Sequence, residues 1–248
     1  MSTIKSVLIL KSCENQKIFR QRKYQIYPII VAFILIGGAA ISMIPGNALG
    51  FTMANYTYTA LSMLSYVFAP LAIFMLVSDT ISGEIAGGEI KVLLMRPVSR
   101  VNVLLAKILS VGSYVGVLFA GGFLLSSILS ILAAGFSAMN VLSALLAYIV
   151  GFVPMLTVIA MSVLIAAMTK SGTTCFSFSL CAFIGSMVLG LVLSSLSPAL
   201  FTSYLGIGSM VIGSSIPITS LVMGLAILAG YAMAFLSVGG IKFVEREF

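Results

Sequence analysis

Three stretches without a formally charged residue, 24–78, 108–169 and 171–241, dominate the pattern of polar and apolar positions along the chain. They run 55, 62 and 71 residues. About 20 consecutive apolar residues cross the hydrocarbon of a bilayer as a helix, so each stretch holds two crossings and a short turn. The predicted spans are 26–44, 59–78, 108–134, 141–168, 173–196 and 218–241. Helices are required because hydrocarbon offers backbone groups no partners, and the alternation of an outer-membrane barrel strand is absent. Pro198 and Pro217 bracket an apolar run at 200–213 that is too short for a crossing. It is predicted as an external re-entrant or interfacial element before the sixth span. The predicted fold class is an all-α integral membrane protein of six transmembrane helices, a single transmembrane domain over 1–248.

The charges fall between these stretches. Residues 1–23 hold Lys5, Lys11, Glu14, Lys17, Arg20, Arg22 and Lys23. Residues 79–107 hold Asp79, Glu84, Glu89, Lys91, Arg96, Arg100 and Lys107, Lys170 stands alone, and Lys242, Glu245, Arg246 and Glu247 lie at the end. Three helical hairpins bring every cluster to one side. The basic excess marks that side as cytoplasmic, so both termini are expected there. Residues 1–25 read as a cytoplasmic arm. Its Ile4, Val7, Leu8, Ile18 and Phe19 lie among basic residues, as in an amphipathic helix in the head-group region. The basic stretch is long and further spans follow, which is unlike a cleaved leader.

Composition narrows the chemistry. Charged residues make up 8% and apolar residues 60% of 248, with a mean hydropathy of +1.21. A soluble domain of this size needs far more surface charge, about a quarter of its residues. The net charge of +7 flanks spans, where it meets anionic lipid rather than nucleic acid. With no His, histidine-based catalysis and histidine-ligated metal are excluded. No Gly-Lys pair exists, so a Walker A phosphate loop is excluded. Cys13, Cys175 and Cys181 read as small apolar fillers, and the 14 Met are scattered rather than clustered as copper ligands. Pro70 and Pro154 fall inside spans, where they kink helices. Ala226, Gly230 and Ala234 form a small-residue row on the sixth span, expected to pack within the chain.

The most specific signal lies in the loop after the second span, SGEIAGGEIKVLLMRPVSR. Apolar Ile81, Ile85, Val92, Leu93 and Leu94 alternate there with Glu84, Glu89, Lys91 and Arg96, which predicts a short amphipathic helix broken at Pro97. This run resembles the signature of permease subunits of type-2 ATP-binding-cassette exporters. In that family a cytoplasmic loop after span two carries a Glu, then Gly-Thr, paired Leu, Pro-Val-Ser-Arg and a Lys near span three. Glu84, Gly88, Leu93, Leu94, Pro97, Val98, Ser99, Arg100 and Lys107 stand at those places. Glu89 replaces the usual Thr, and Glu14 matches a Glu common in the arm.

The resemblance implies a coupling helix within 79–107 that docks on an ATPase, through Glu84, Gly88, Glu89, Leu93, Leu94, Pro97, Ser99, Arg100 and Lys107. Glu84 either pairs across that interface or holds the loop to the arm. Arg100 and Lys107 are expected to anchor the corner at head-group level. No catalytic, cofactor or metal residue is expected in the chain, and ATP and Mg belong to the partner. The implied partners are two ATPase subunits, a second permease subunit and membrane lipid. The implied role is export of an amphipathic or lipophilic substrate, such as a peptide antibiotic, lipid or drug, across a bacterial or archaeal cytoplasmic membrane. The alternatives are a secondary transporter or channel, or an assembly factor. Carriers coupled to ions usually place ionisable residues within spans, and the uncharged stretches here hold none.

Overall fold

The computed structural model describes residues 3–42, 56–88, 99–134, 141–193, 195, 197–211 and 218–245. Every regular element among them is helical. An arm, α1 (Thr3–Arg20), precedes six helices long and apolar enough to cross a membrane. These are α2 (Arg22–Ser42), α3 (Tyr56–Ala86), α4 (Arg100–Ala134), α5 (Val141–Met168), α6 (Gly172–Val192) and α7 (Ile218–Glu245). Between α6 and α7, three 3₁₀ turns cover Ser197–Ala199, Phe201–Tyr204 and Ile207–Val211. The core runs through α3 and α5, whose apolar windows are 61% buried, whereas α7 is only 11% buried. Apolar side chains such as Phe33, Leu132, Leu191 and Ile218 cover the outside, as lipid-facing positions do.

Contacts at the helix ends sort the bundle into a charged end and an uncharged end. Tyr24, near the start of α2, donates a hydrogen bond to Asp79 in the last turns of α3. The Ser82 hydroxyl lies 3.2 Å from that of Thr169 just past α5, and Gly172 at the start of α6 abuts the backbone of Ser78 and Gly83. Arg100 at the start of α4 reaches the Val244 carbonyl at the end of α7. The described charged clusters therefore share one end, as three hairpins require. At the other end Tyr148 of α5 donates to the Thr57 carbonyl and meets Ser126 of α4.

The 3₁₀ segment folds back against the middle of α7. Tyr231 donates to the Ala199 carbonyl, and Phe201 packs on the rings of Tyr231 and Phe235. Gly208 lets this segment touch α5. A Cβ there would meet the Ala147 carbonyl oxygen at 2.5 Å and the Gly151 Cα at 3.2 Å. Both obstacles are backbone and cannot rotate away. Gly208→Ala should thus lower stability by about 1–3 kcal/mol, the usual cost of overpacking. An unchanged unfolding midpoint in detergent would refute the contact.

Two prolines show how apolar helices tolerate lost donors. Pro28 inside α2 cannot donate to the Tyr24 carbonyl, and the Tyr114 hydroxyl of α4 fills that place at 2.9 Å. Pro70 of α3 follows a π turn at Leu64–Phe68, and the Tyr27 hydroxyl donates to the Phe68 carbonyl at 2.6 Å. At Pro28 an interhelical tyrosine thus re-satisfies the freed carbonyl, as hydrocarbon demands, whereas the Tyr27 hydrogen bond braces the turn just before Pro70.

The structure corrects several boundaries. The helix that carries the second span does not stop at 78: α3 continues through a π turn at Ser78–Gly83 to Ala86. Likewise α4 begins at Arg100 rather than 108 and runs 35 residues. At about 1.5 Å per residue it is roughly 52 Å long, well beyond a ~30 Å hydrocarbon core. Its charged first turns therefore extend past the apolar layer. The arm is a helix, as expected, but its inward stripe is largely polar. Lys11 and Asn15 take hydrogen bonds from Ser110 and Ser113 of α4, beside Glu14 and buried Ile18, while Leu8, Ile9 and Phe19 face outward. The row Ala226, Gly230 and Ala234 is exposed and does not pack within the chain. A helix with so little intramolecular burial has no neighbour on that side to meet.

Candidate functional site

The site is built where α1, the end of α3 and the start of α4 converge. Glu84 sits in the last turn of α3 and is 7% exposed. Its Oε1 accepts from Lys17 Nζ of the arm at 2.6 Å, and its Oε2 accepts from Lys107 Nζ of α4 at 2.6 Å. Lys107 also donates to Glu14 Oε1 of the arm at 2.9 Å, and its side chain is fully buried. Two carboxylates and two ammonium groups thus form a neutral clasp across three helices. Only Lys17 is substantially exposed. Glu14 Oε2 is buried with no hydrogen-bond partner among the described residues.

A second pairing stands beside it. Lys23 and the Tyr24 hydroxyl both donate to Asp79 Oδ2, joining the start of α2 to α3. Burying isolated charges costs several kcal/mol each, and mutual pairing is what permits it. The Glu14–Lys107–Glu84 cluster therefore works as a buried fastener at the root of the loop after α3, whereas the Lys23–Asp79 pair is largely exposed and adds less.

The loop's two ends are shaped by its own residues. Gly88 has φ +74°, and its N–H bonds the Ile85 carbonyl at 3.2 Å just past the end of α3. A left-handed residue here closes the helix, and glycine carries no Cβ penalty for it. Ser99 caps α4: its Oγ accepts from the Asn102 N–H at 3.3 Å. Arg100 donates to the Val244 carbonyl at 2.7 Å, where a cation suits the C-terminal end of α7. The structure thus brings Glu84 and Lys107 together directly and puts Gly88, Ser99 and Arg100 at the adjoining helix ends. Glu89, Leu93, Leu94 and Pro97, with the predicted amphipathic helix and its break, lie outside the described residues.

Lys107 differs from the expectation that it anchors at head-group level. Its ammonium turns inward, because two carboxylates from neighbouring helices give it better partners than lipid does. For Glu84 the structure shows the intramolecular of the two expected pairings, with the arm. Sequence reading gave Glu14 only a weak role and missed Lys17, Lys23, Tyr24 and Asp79. The available signal was charge balance: acidic residues are few, and three of the six sit opposite basic partners in these clusters.

A model of the ABC-2 family transporter protein matches residues 10–174, about two thirds of the chain. The chain belongs to this family. It is a multi-pass membrane protein and a permease subunit of the ATP-binding-cassette class. The matched region contains the whole clasp and the loop between α3 and α4. No curated protein sequence matches the chain.

Proposed function

We propose that this permease is half of an ATP-driven exporter. It pairs with a second permease subunit and receives work from two ATPase subunits docked at the charged end, which faces the cytoplasm. The observation that carries this reading is the clasp. A loop that transmits the closure of a partner needs a rigid root, and Glu84, Lys107 and Glu14 tie the root of this loop to three helices at once. The segment 89–98 then acts as the coupling element, with Leu93 and Leu94 as apolar anchors and Pro97 as its corner.

The exposed row Ala226, Gly230 and Ala234 on α7 supports a second permease, since small residues let helices approach closely. An amphipathic or lipophilic substrate is supported by the uncharged stretches and by an apolar cleft of about 470 Å³ between α4 and α5, walled by Phe119, Phe123, Tyr148 and Phe152. Ion-coupled carriage is disfavoured, because the buried charges pair with one another at one end instead of facing a path.

The test is purification of the chain with and without the product of any neighbouring ATPase gene. The expected result is no ATP hydrolysis by the chain alone and a stable complex that hydrolyses ATP. Nucleotide binding by the isolated chain would overturn the reading. A deletion strain should become sensitive to peptide antibiotics or lipophilic drugs and not to inorganic ions.

A further inference from the structure

A groove of about 270 Å³ runs between α2 and α4 and starts beside the arm. Phe19 and Tyr114, whose rings touch at 5.8 Å, close its charged end, and Leu35 and Leu125 line the other. From Tyr114 to Leu125 is eleven helical steps, about 16 Å at 1.5 Å each. One leaflet of a ~30 Å hydrocarbon core is about 15 Å deep, so the groove is as long as one leaflet is thick. The wall is shaped by glycine. Gly122 faces inward, where a Cβ would clash with Leu64, whereas a Cβ on Gly121 in the groove would meet nothing within 4 Å.

Charge lies at the mouth. Arg20 and Arg22 flank the bend at Gln21, one and three residues beyond Phe19, and both are exposed. Neither has an ion-pair or hydrogen-bond partner among the described residues, whereas nearby Lys17, Lys23 and Lys107 are each committed to a carboxylate. Two exposed arginines on the bend next to Phe19, at the arm end of a trough one leaflet long, form a complementary pair of features. Guanidinium binds phosphate oxygens in a fork, and an apolar trough accepts an acyl chain.

We infer that the α2–α4 groove and the Arg20–Arg22 bend form a binding site for one anionic phospholipid, its phosphate on the arginines and one acyl chain along Gly121. The site tethers the arm to the leaflet at the charged end. It stands whether or not an ATPase pairs with the chain.

The full chain, delipidated in detergent, is titrated with phosphatidylglycerol or phosphatidylcholine and read by native mass spectrometry. The wild type should hold one phosphatidylglycerol at least tenfold more tightly than phosphatidylcholine. Each basic residue near an anionic head group contributes on the order of fivefold. Arg20→Gln with Arg22→Gln should therefore erase the preference while leaving weak binding of both lipids. Gly121→Leu fills the trough and should weaken both lipids alike. Inorganic phosphate should not displace the lipid. Equal binding of both lipids by the wild type, or a retained preference in the arginine variant, overturns the proposal. So does unaltered binding by Gly121→Leu, or displacement by phosphate. Phosphatidylglycerol with a diazirine in its chain tests the unsubstituted protein, so misfolded variants cannot obscure the result. Labels should fall on Phe19 of α1, on α2 from Pro28 to Leu35 and on α4 from Tyr114 to Leu125, and labelling spread over the other helices overturns the site.

Discussion

Lys107→Met should cost about 3–5 kcal/mol of stability, the range seen when one member of a buried ion pair is removed. Methionine keeps much of the length of the side chain, so the loss is electrostatic rather than a cavity. Glu14 and Glu84 would remain buried, facing each other without the ammonium that joins them. Lys17 cannot compensate, because its side chain is 44% exposed and its pairing with Glu84 is screened by solvent. Removing Lys17 should accordingly cost no more than about 1 kcal/mol, the scale of exposed pairs. The decisive comparison is the triple variant Lys107→Met, Glu14→Gln, Glu84→Gln. Replacing a whole buried ionic set with neutral groups is often harmless, so it should recover most of the loss. Unfolding in mixed micelles by sodium dodecyl sulfate measures all three. A triple variant less stable than Lys107→Met alone would show that the carboxylates have other partners.

The clasp also explains what was legible in the sequence and what was not. Six crossings followed from the three uncharged stretches, because no other structure satisfies so much backbone in hydrocarbon. The same rule misplaced two boundaries. Asp79, Glu84 and Lys107 were read as marks of a loop, since charges are costly within an apolar helix. They are instead inside helices, where Glu84 and Lys107 pair with each other and with the arm and Asp79 pairs with Lys23 and Tyr24, across chain separations of 23 to 93 residues. Pairing over such separations leaves no periodic trace. Local signals did better: the resemblance picked out Gly88 and Ser99, and they prove to be the helix stop and the helix cap flanking the loop. The arm was read as amphipathic from its apolar residues, but its inward stripe is Lys11, Glu14, Asn15 and Ile18. A helix beside lipid gains by turning polar groups toward the protein, the reverse of a soluble helix.

The second large effect concerns the loop beyond the clasp. Leu93→Ala with Leu94→Ala should leave the membrane helices folded and weaken recovery of the ATPase roughly thirtyfold, from about 2 kcal/mol at a buried apolar anchor. Residues 89–98 belong to none of the six membrane-crossing helices, so insertion and packing of those helices should survive the change. Glu84 does not offer the same test. Were Glu84 the contact across the ATPase interface that the resemblance allows, Glu84→Lys would disturb only the partner. The geometry opposes that: the new ammonium would sit buried against Lys17 and Lys107, and Lys107 would keep only Glu14 of its two carboxylates. Glu84→Lys should therefore lose stability first and the ATPase as a consequence, whereas the leucine pair should lose the ATPase alone. Thermal stability and ATPase recovery measured on the same preparations separate these effects. Normal stability in Glu84→Lys would remove the clasp as the root of the loop, and normal ATPase recovery in the leucine variant would place docking outside residues 89–98.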